Sequence, residues 1–180
     1  MSKTCTASVL AGLALPLALT VSGCGNGDDD KAAKAISNAI MKQQSGGAAS
    51  ILQVKRKDAD CIGAGFVDKI GTDKLEKYGV LTKDLKAKKT LTNAKMSAGD
   101  AKTASSVLFS CTDVPAMVTK AIGSSGQTKN LPAGIKTCIK KAFTEDTLRP
   151  VFVDAFQGLQ AEVQKDLTAP LMKCATGGTG

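Results

Sequence analysis

Four cysteines, Cys61, Cys111, Cys138 and Cys174, constrain this chain more than any other feature, because cross-linked or metal-held cysteines dictate which segments lie together. The chain holds six in all, and the other two, Cys5 and Cys24, fall within its first two dozen residues. The intervals between the four are too wide for the short cysteine pairs of a structural zinc site. In an oxidising compartment an even count reads instead as two disulfides, for which four cysteines allow three pairings. The rest of the sequence must supply both the compartment and the pairing.

The compartment follows from residues 1–23, which read as a signal peptide. Lys3 gives a basic start, and Ala7 to Leu19 is a mostly apolar stretch interrupted by Pro16. That stretch is too short to be a membrane span, which takes about 20 apolar residues to cross roughly 30 Å of hydrocarbon. Val21-Ser22-Gly23-Cys24 follows at once, and it resembles the lipobox of bacterial lipoproteins: an aliphatic residue, a small one, Gly or Ala, then Cys. The resemblance implies that the Cys24 thiol receives diacylglycerol with palmitate-type acyl chains. It also implies that cleavage falls just before Cys24, and that the protein is lipid-anchored at the extracytoplasmic face of the cell membrane. The competing reading is an ordinary secreted protein with Cys24 free or disulfide-bonded, but no small-x-small cleavage site is better placed. Cys5 is discarded with the signal. After Cys24 comes Gly25-Asn26-Gly27-Asp28-Asp29-Asp30, so residues 24–31 are expected to form a flexible acidic tether. The run lacks the glycine and distal glutamate of a calcium-binding EF-hand loop.

The pairing follows from an internal repeat. Laid together without gaps, Cys61, Ile62, Phe66 and Asp68 match Cys138, Ile139, Phe143 and Glu145. A short amphipathic stretch lies upstream of each, Ala35 to Met41 and Ala116 to Ile122, and a leucine stands three residues before each second cysteine, Leu108 and Leu171. Residues 32–174 thus read as one helical domain with two similar halves, 32–111 and 114–174, ahead of a disordered tail at 175–180. Pairing within halves is the economical choice, Cys61 with Cys111 and Cys138 with Cys174.

The expected fold class is all-α: two similar disulfide-stapled helical modules forming one compact domain. Ala32, Ala35, Ile36, Ala39 and Ile40 recur at helical spacing within Lys31 to Lys42. Asp58 is placed to cap a helix through Ile70 whose buried stripe is Ile62, Phe66 and Ile70. Thr72 caps a short helix stopped at Gly79. Ser97 and Asp100 resemble a capping box opening a helix to Cys111. Asp113 and Pro115 start the next, which ends at Gly123. Pro132 opens the Cys138 helix, Thr144 caps another that Gly158 ends, and a last helix reaches Cys174. Pro150 and Pro170 are expected to bend or shorten their helices. The short stretch Ile51 to Val54 is read as loop or helix.

Composition narrows the chemistry. Hydrophobic residues make up 43% of the chain, enough to exclude general disorder. Aromatics make up only 3%, with no Trp and one Tyr, Tyr78, which argues against stacking platforms for sugars or bases. With no histidine in the sequence, the usual general base and the usual zinc ligand are missing. No serine has a lysine three residues on, so the Ser-x-x-Lys of penicillin-binding enzymes is absent, and Thr137 with Lys140 reads as a helix surface pair. Glu145, Asp146 and Asp154 could offer paired carboxylates for sugar hydrolysis, but no aromatic platform accompanies them. Glu162 and Asp166 read as solvated surface. Catalytic residues, metal and cofactors are expected to be none.

Net charge is +8, falling to +7 once Lys3 leaves with the signal. Lys83, Lys86, Lys88, Lys89 and Lys95 cluster around Asp84 and could meet an anionic lipid or wall polymer within a Debye length of about 8 Å. A solvated, solubilising connection is the plainer reading. Nucleic acid is a poor partner outside the cell.

The sequence therefore points to a membrane-anchored, non-enzymatic envelope module that binds a protein, wall polymer or membrane surface. The alternative is a small-molecule or lipid carrier with an apolar cavity lined by Ile62, Phe66, Phe143, Val151, Phe152 and Phe156. The layout is also similar to small cysteine-paired helical lipoproteins of actinobacterial envelopes, a resemblance that brings no site residues with it.

Overall fold

A computed structural model of the chain describes residues 27–44, 54–88, 94–124 and 131–177. Among these the architecture is all-helical: α1 (Gly27–Gln43), α2 (Arg56–Ile70), α3 (Thr72–Lys77), α4 (Ala98–Cys111), α5 (Val114–Ser124), α6 (Ala133–Ala142), α7 (Glu145–Gln157) and α8 (Gln160–Ala175). The lipobox and Cys24 lie outside the described residues, as do Lys89 and Ile51 to Gln53. No helix of the described residues is long and apolar enough to cross a membrane.

Cys61 is bonded to Cys111 and Cys138 to Cys174, each pair with its Cα atoms 5.7 Å apart. Both halves therefore have the same order, four helices with the second stapled to the fourth. In the chain-entropy model, closing loops of 50 and 36 residues stabilises each half by about 4 kcal/mol.

Several helix ends follow the local chemistry read from the sequence. Ser97 Oγ accepts from the Asp100 backbone N–H at 3.2 Å. Asp113 Oδ1 accepts from the Ala116 N–H at 3.0 Å. Thr144 and Thr147 bond each other's backbone N–H in a reciprocal capping box. Gly79 and Gly158 take left-handed backbone angles, φ +74° and +77°, where a side chain would be strained.

Other ends differ. The run Asp28 to Asp30, expected in a tether spanning 24–31, forms the first turn of α1, which begins at Gly27. Carboxylates suit that place because the first turn exposes unpaired N–H groups and the positive end of the helix dipole. At the other terminus Ala175 belongs to α8 and Thr176 Oγ1 donates to the Met172 carbonyl, so the tail begins later than 175, and residues 178–180 lie outside the described residues. Asp58 does not cap α2; Lys55 is the cap residue, and its carbonyl accepts from the Asp58 and Ala59 N–H groups. Gly71, not Thr72, precedes α3. Pro150 and Pro170 sit inside α7 and α8, which run on to Gln157 and Ala175 without being cut short. A proline removes one N–H from the ladder, and both helices continue past that loss, α8 with its end tied to α6 through Cys174.

Two hydrophobic clusters form the interior, one for each half. The first joins α1, α2, α3 and α4 through Ala32, Ile36, Ile62, Phe66, Leu75 and Ala104, together with Val54, Val80 and Leu81. The second joins Val114, Ile139, Phe143, Leu148 and Cys174 from α5 to α8. Helix α7 belongs to both. Its Phe156 meets Phe66 edge-on at 5.8 Å, and its Phe152 meets Phe109 of α4 edge-on at the same distance. Ser105 of α4 adds a hydrogen bond to the Arg149 carbonyl at 3.3 Å.

The two halves share an order but not a closeness of packing. Among the described residues α1 and α2 make the most extensive helix pair, whereas α5 only grazes α6. Gly63 is the reason for the first: a Cβ built there would stand 2.4 Å from the Ala33 carbonyl oxygen, so only glycine lets the two backbones approach this far.

Candidate functional site

The expected lysine cluster is only partly gathered. Lys83, Lys86 and Lys88 are exposed on one tight reversal between α3 and α4, where Leu81 and Ala87 form an isolated antiparallel bridge and Leu85 takes a positive φ of 58°. Thr82 accepts the Lys86 N–H at its side chain, which holds the reversal in shape. Lys95 is exposed but belongs elsewhere: its stem lies against Gly158 at the end of α7. The reversal also touches the start of the molecule, since Leu85 and Lys86 share a shallow surface depression with Gly27, Asp30, Lys31 and Lys34 of α1. The signs there are mixed, so the surface is not a uniformly basic one.

Two polar networks that sequence reading missed tie helices together. Asp100 receives Tyr78 Oη at 2.6 Å, Lys74 Nζ at 3.0 Å and Ser97 Oγ at 3.1 Å, joining α3 to α4. The Tyr78 hydroxyl, with Lys74 next, holds the Asp100 carboxyl below the usual carboxylate range. The hydrogen bond to Asp100 in turn raises Lys74. In the second network the buried Ser37 donates to Asp60, while Arg56 donates to Ser37 at 3.2 Å and to Asn38 at 2.8 Å, joining α1 to α2. Both depend on residues from separate elements, and no spacing in the sequence signals them. Their geometry is that of inter-helix ties: the charged groups in each are matched by one another, and only Asn38 of the second network reaches the depression beside Leu85 and Lys86.

Of the remaining catalytic candidates, Thr137, Glu145 and Glu162 are occupied locally. The Thr137 hydroxyl donates to the Ala133 carbonyl at 3.0 Å, one turn back in its own helix, and so does not engage Lys140 as a base. Glu145 accepts from Arg149 at 2.5 Å, and Glu162 pairs with Lys165 at 3.6 Å. Among the described residues no group of three or more His, Cys, Asp or Glu side chains could hold a metal ion.

The residues expected to line a cavity, Ile62, Phe66, Phe143, Val151, Phe152 and Phe156, are packed with other side chains. Ile62, Phe66, Phe143 and Val151 are buried as ordinary core, and the rings of Phe152 and Phe156 pack edge-on against Phe109 and Phe66. Open space lies instead on the two flanks of α6. Between α5 and α6 is a cleft of about 580 Å³ walled by Ile122, Leu131 and Ile139, with Lys120, Lys136 and Lys140 among its lining. Between α6 and α8 is a wider groove of about 1100 Å³, over the Cys138–Cys174 disulfide, with Ile135, Pro150 and Pro170 in its walls and Lys141, Asp166 and Lys173 along it. Both fall in the second half because α6 is lightly held: of its ten residues only Ile139 is buried, and the disulfide fixes it to α8. One sequence signal could have located the first cleft. In the gapless repeat alignment Gly63, the residue that closes α1 onto α2, stands opposite Lys140.

No family model matches the chain, and no curated protein or solved structure is similar to it.

Proposed function

We propose that the chain is a membrane-anchored extracytoplasmic lipoprotein, held by lipid on Cys24, whose helical domain is a non-enzymatic binding module of the envelope. The observation that carries this reading is the fate of the cysteines. All four beyond the lipobox are consumed in two disulfides, as suits an oxidising compartment. Cys24 is then the remaining cysteine of the processed chain, and it stands where the lipobox puts the acylated residue. Against an enzyme stand the absence of histidine from the sequence and the engagement of Thr137 and Glu145 in local helix contacts. A carrier is the second reading. The clefts flanking α6 favour it, since their volumes reach or pass the range of about 300 to 1,000 Å³ in which small-molecule sites fall.

The test is the substitution Cys24→Ser followed by membrane fractionation. Diacylglycerol is attached before cleavage, so this variant is expected to accumulate as a longer, uncleaved precursor, while the parent chain appears as a shorter lipidated form in the membrane fraction. Identical processing of the two would contradict the anchor.

A further inference from the structure

We propose that the face of the domain at the start of α1 rests on the headgroup layer of the membrane that holds its lipid, with headgroup phosphates at Lys31, Lys34 and Lys86. The proposal deepens the anchored reading above and rests on it.

The first support is the length of chain between the anchor and the fold. With α1 beginning at Gly27, three peptide units separate its start from Cys24. An extended chain covers at most about 3.6 Å per residue, so by any path the start of α1 lies within roughly 11 Å of the anchored residue. That distance is close to the Debye length of about 8 Å at physiological salt, so charges at this end of the domain are felt at the headgroups. A surface pinned on so short a tether meets the membrane at an effective concentration of millimolar order, and weak contacts then suffice to orient it. Gly27 does not stand alone there. It shares its depression with Asp30, Lys31 and Lys34 of α1 and with Leu85 and Lys86 of the reversal between α3 and α4.

The second support is the charge on that face. Lys31, Lys34 and Lys86 are exposed, and so are Lys83 and Lys88 on the same reversal. Among the described residues none of these five lies within ion-pair distance of a carboxylate, whereas Lys69, Lys74 and Lys165 do. Basic side chains beside a lipid anchor are drawn to headgroup phosphates. Four carboxylates share this end of the domain, Asp28, Asp29 and Asp30 in the first turn of α1 and Asp84 in the reversal. A polyanionic wall polymer would meet these four as well as the lysines. A phospholipid layer carries both signs, a phosphate to answer the lysines and, in an aminophospholipid, an ammonium group to answer the aspartates. The mixed signs of the surface thus favour a headgroup layer over a polyanion.

The full chain purified from its own membrane fraction is to be inserted into preformed vesicles of equal parts phosphatidylethanolamine and phosphatidylcholine. Brief acetylation with a membrane-impermeant succinimidyl ester, mapped by peptide mass, then reads each lysine against its own rate in nonionic detergent. Lys31, Lys34 and Lys86 are expected to react about fivefold more slowly than Lys141 and Lys173, which are exposed on the other half, as a face docked about four-fifths of the time requires. Lys34→Glu with Lys86→Glu is expected to return Lys31 to the rate of Lys141 and Lys173, with both disulfides intact by mass without reduction. Equal rates at all five lysines of the parent chain, or a Lys31 that stays slow in the folded double variant, would overturn the proposal. Protection that rises with the number of copies per vesicle would overturn it in favour of a second copy, and protection found in envelope fragments but not in vesicles would do so in favour of a wall polymer. The Cys24 peptide from the same digest reports the lipid independently. A chain without lipid there overturns the anchored reading and the proposal with it, whereas a lipidated chain whose lysines react freely overturns the proposal alone.

Discussion

Gly63 carries more of the architecture than its size suggests. A glycine inside a helix costs roughly 1 kcal/mol relative to alanine, and Gly63 is tolerated because the α1 backbone occupies the space a Cβ would need. Gly63→Ala is therefore expected to destabilise the domain by about 1 to 3 kcal/mol in urea unfolding, since the obstacle is a backbone carbonyl that cannot swing aside. Gly99, in the first turn of α4 with nothing near its added Cβ, is expected to respond the other way, gaining about 0.5 to 1 kcal/mol on substitution by alanine. Equal effects at both positions would remove the close α1–α2 approach from the account. Asp100 is the other residue with a measurable signature. Its carboxyl titrates below the usual range in the folded chain because Tyr78 and Lys74 donate to it. A group with a depressed folded pKa contributes stability that is complete above its unfolded value and is lost as pH falls through the folded one. Asp100→Asn is thus expected to lower stability at neutral pH and to flatten its decline in acid, read as unfolding midpoints from pH 6 down to pH 2. An unchanged acid slope would mean that the tie between α3 and α4 does not hold in solution.

At the scale of elements, α7 is the seam between the two halves, with Phe156 on one cluster and Leu148 and Phe152 on the other. Leu148 is almost wholly buried, and truncating a leucine in such a site costs about 2 to 5 kcal/mol through lost transfer energy and the cavity left behind. Leu148→Ala is expected to fall in that range by thermal or urea unfolding, and a change below about 1 kcal/mol would show that the second cluster is not a formed core. The elements also show what the sequence made legible. Ser97, Asp113 and Thr144 marked helix starts and Gly79 and Gly158 marked stops, because capping is local chemistry written within four residues. Asp58 and Thr72 misled because capping residue types also serve inside a first turn, where the Asp58 N–H is satisfied by the Lys55 carbonyl and Thr72 follows the cap residue Gly71. The acidic run before Lys31 looked like a spacer by composition, yet it extends α1 by a turn. Of the clefts beside α6, only the one facing α5 left a trace in the sequence, Lys140 opposite Gly63 in the repeat alignment, because an opening between helices otherwise depends on how closely they approach. The residues picked for a cavity turned out to be those that fill the core.

For the whole molecule, the repeat is what ties sequence to structure. It chose one of three cysteine pairings correctly, since Leu108 and Leu171 stand in the same place before the cysteine that closes each half. The two loop closures, at about 4 kcal/mol each, are comparable to the entire stability of an ordinary domain, roughly 5 to 15 kcal/mol. A chain with so few aromatic residues and a lightly packed second half needs such staples, and they are kept only where thiols are oxidised. The central proposal is a joint one, that the stapled domain belongs outside the cytoplasm and that lipid on Cys24 keeps it at the membrane. Intact mass of the membrane-fraction protein, before and after reduction, tests both parts together. The account predicts a chain that starts at Cys24 with diacylglycerol attached and with four further cysteines that become free thiols only on reduction. A chain cleaved elsewhere without lipid, or one with four free thiols before reduction, would contradict it.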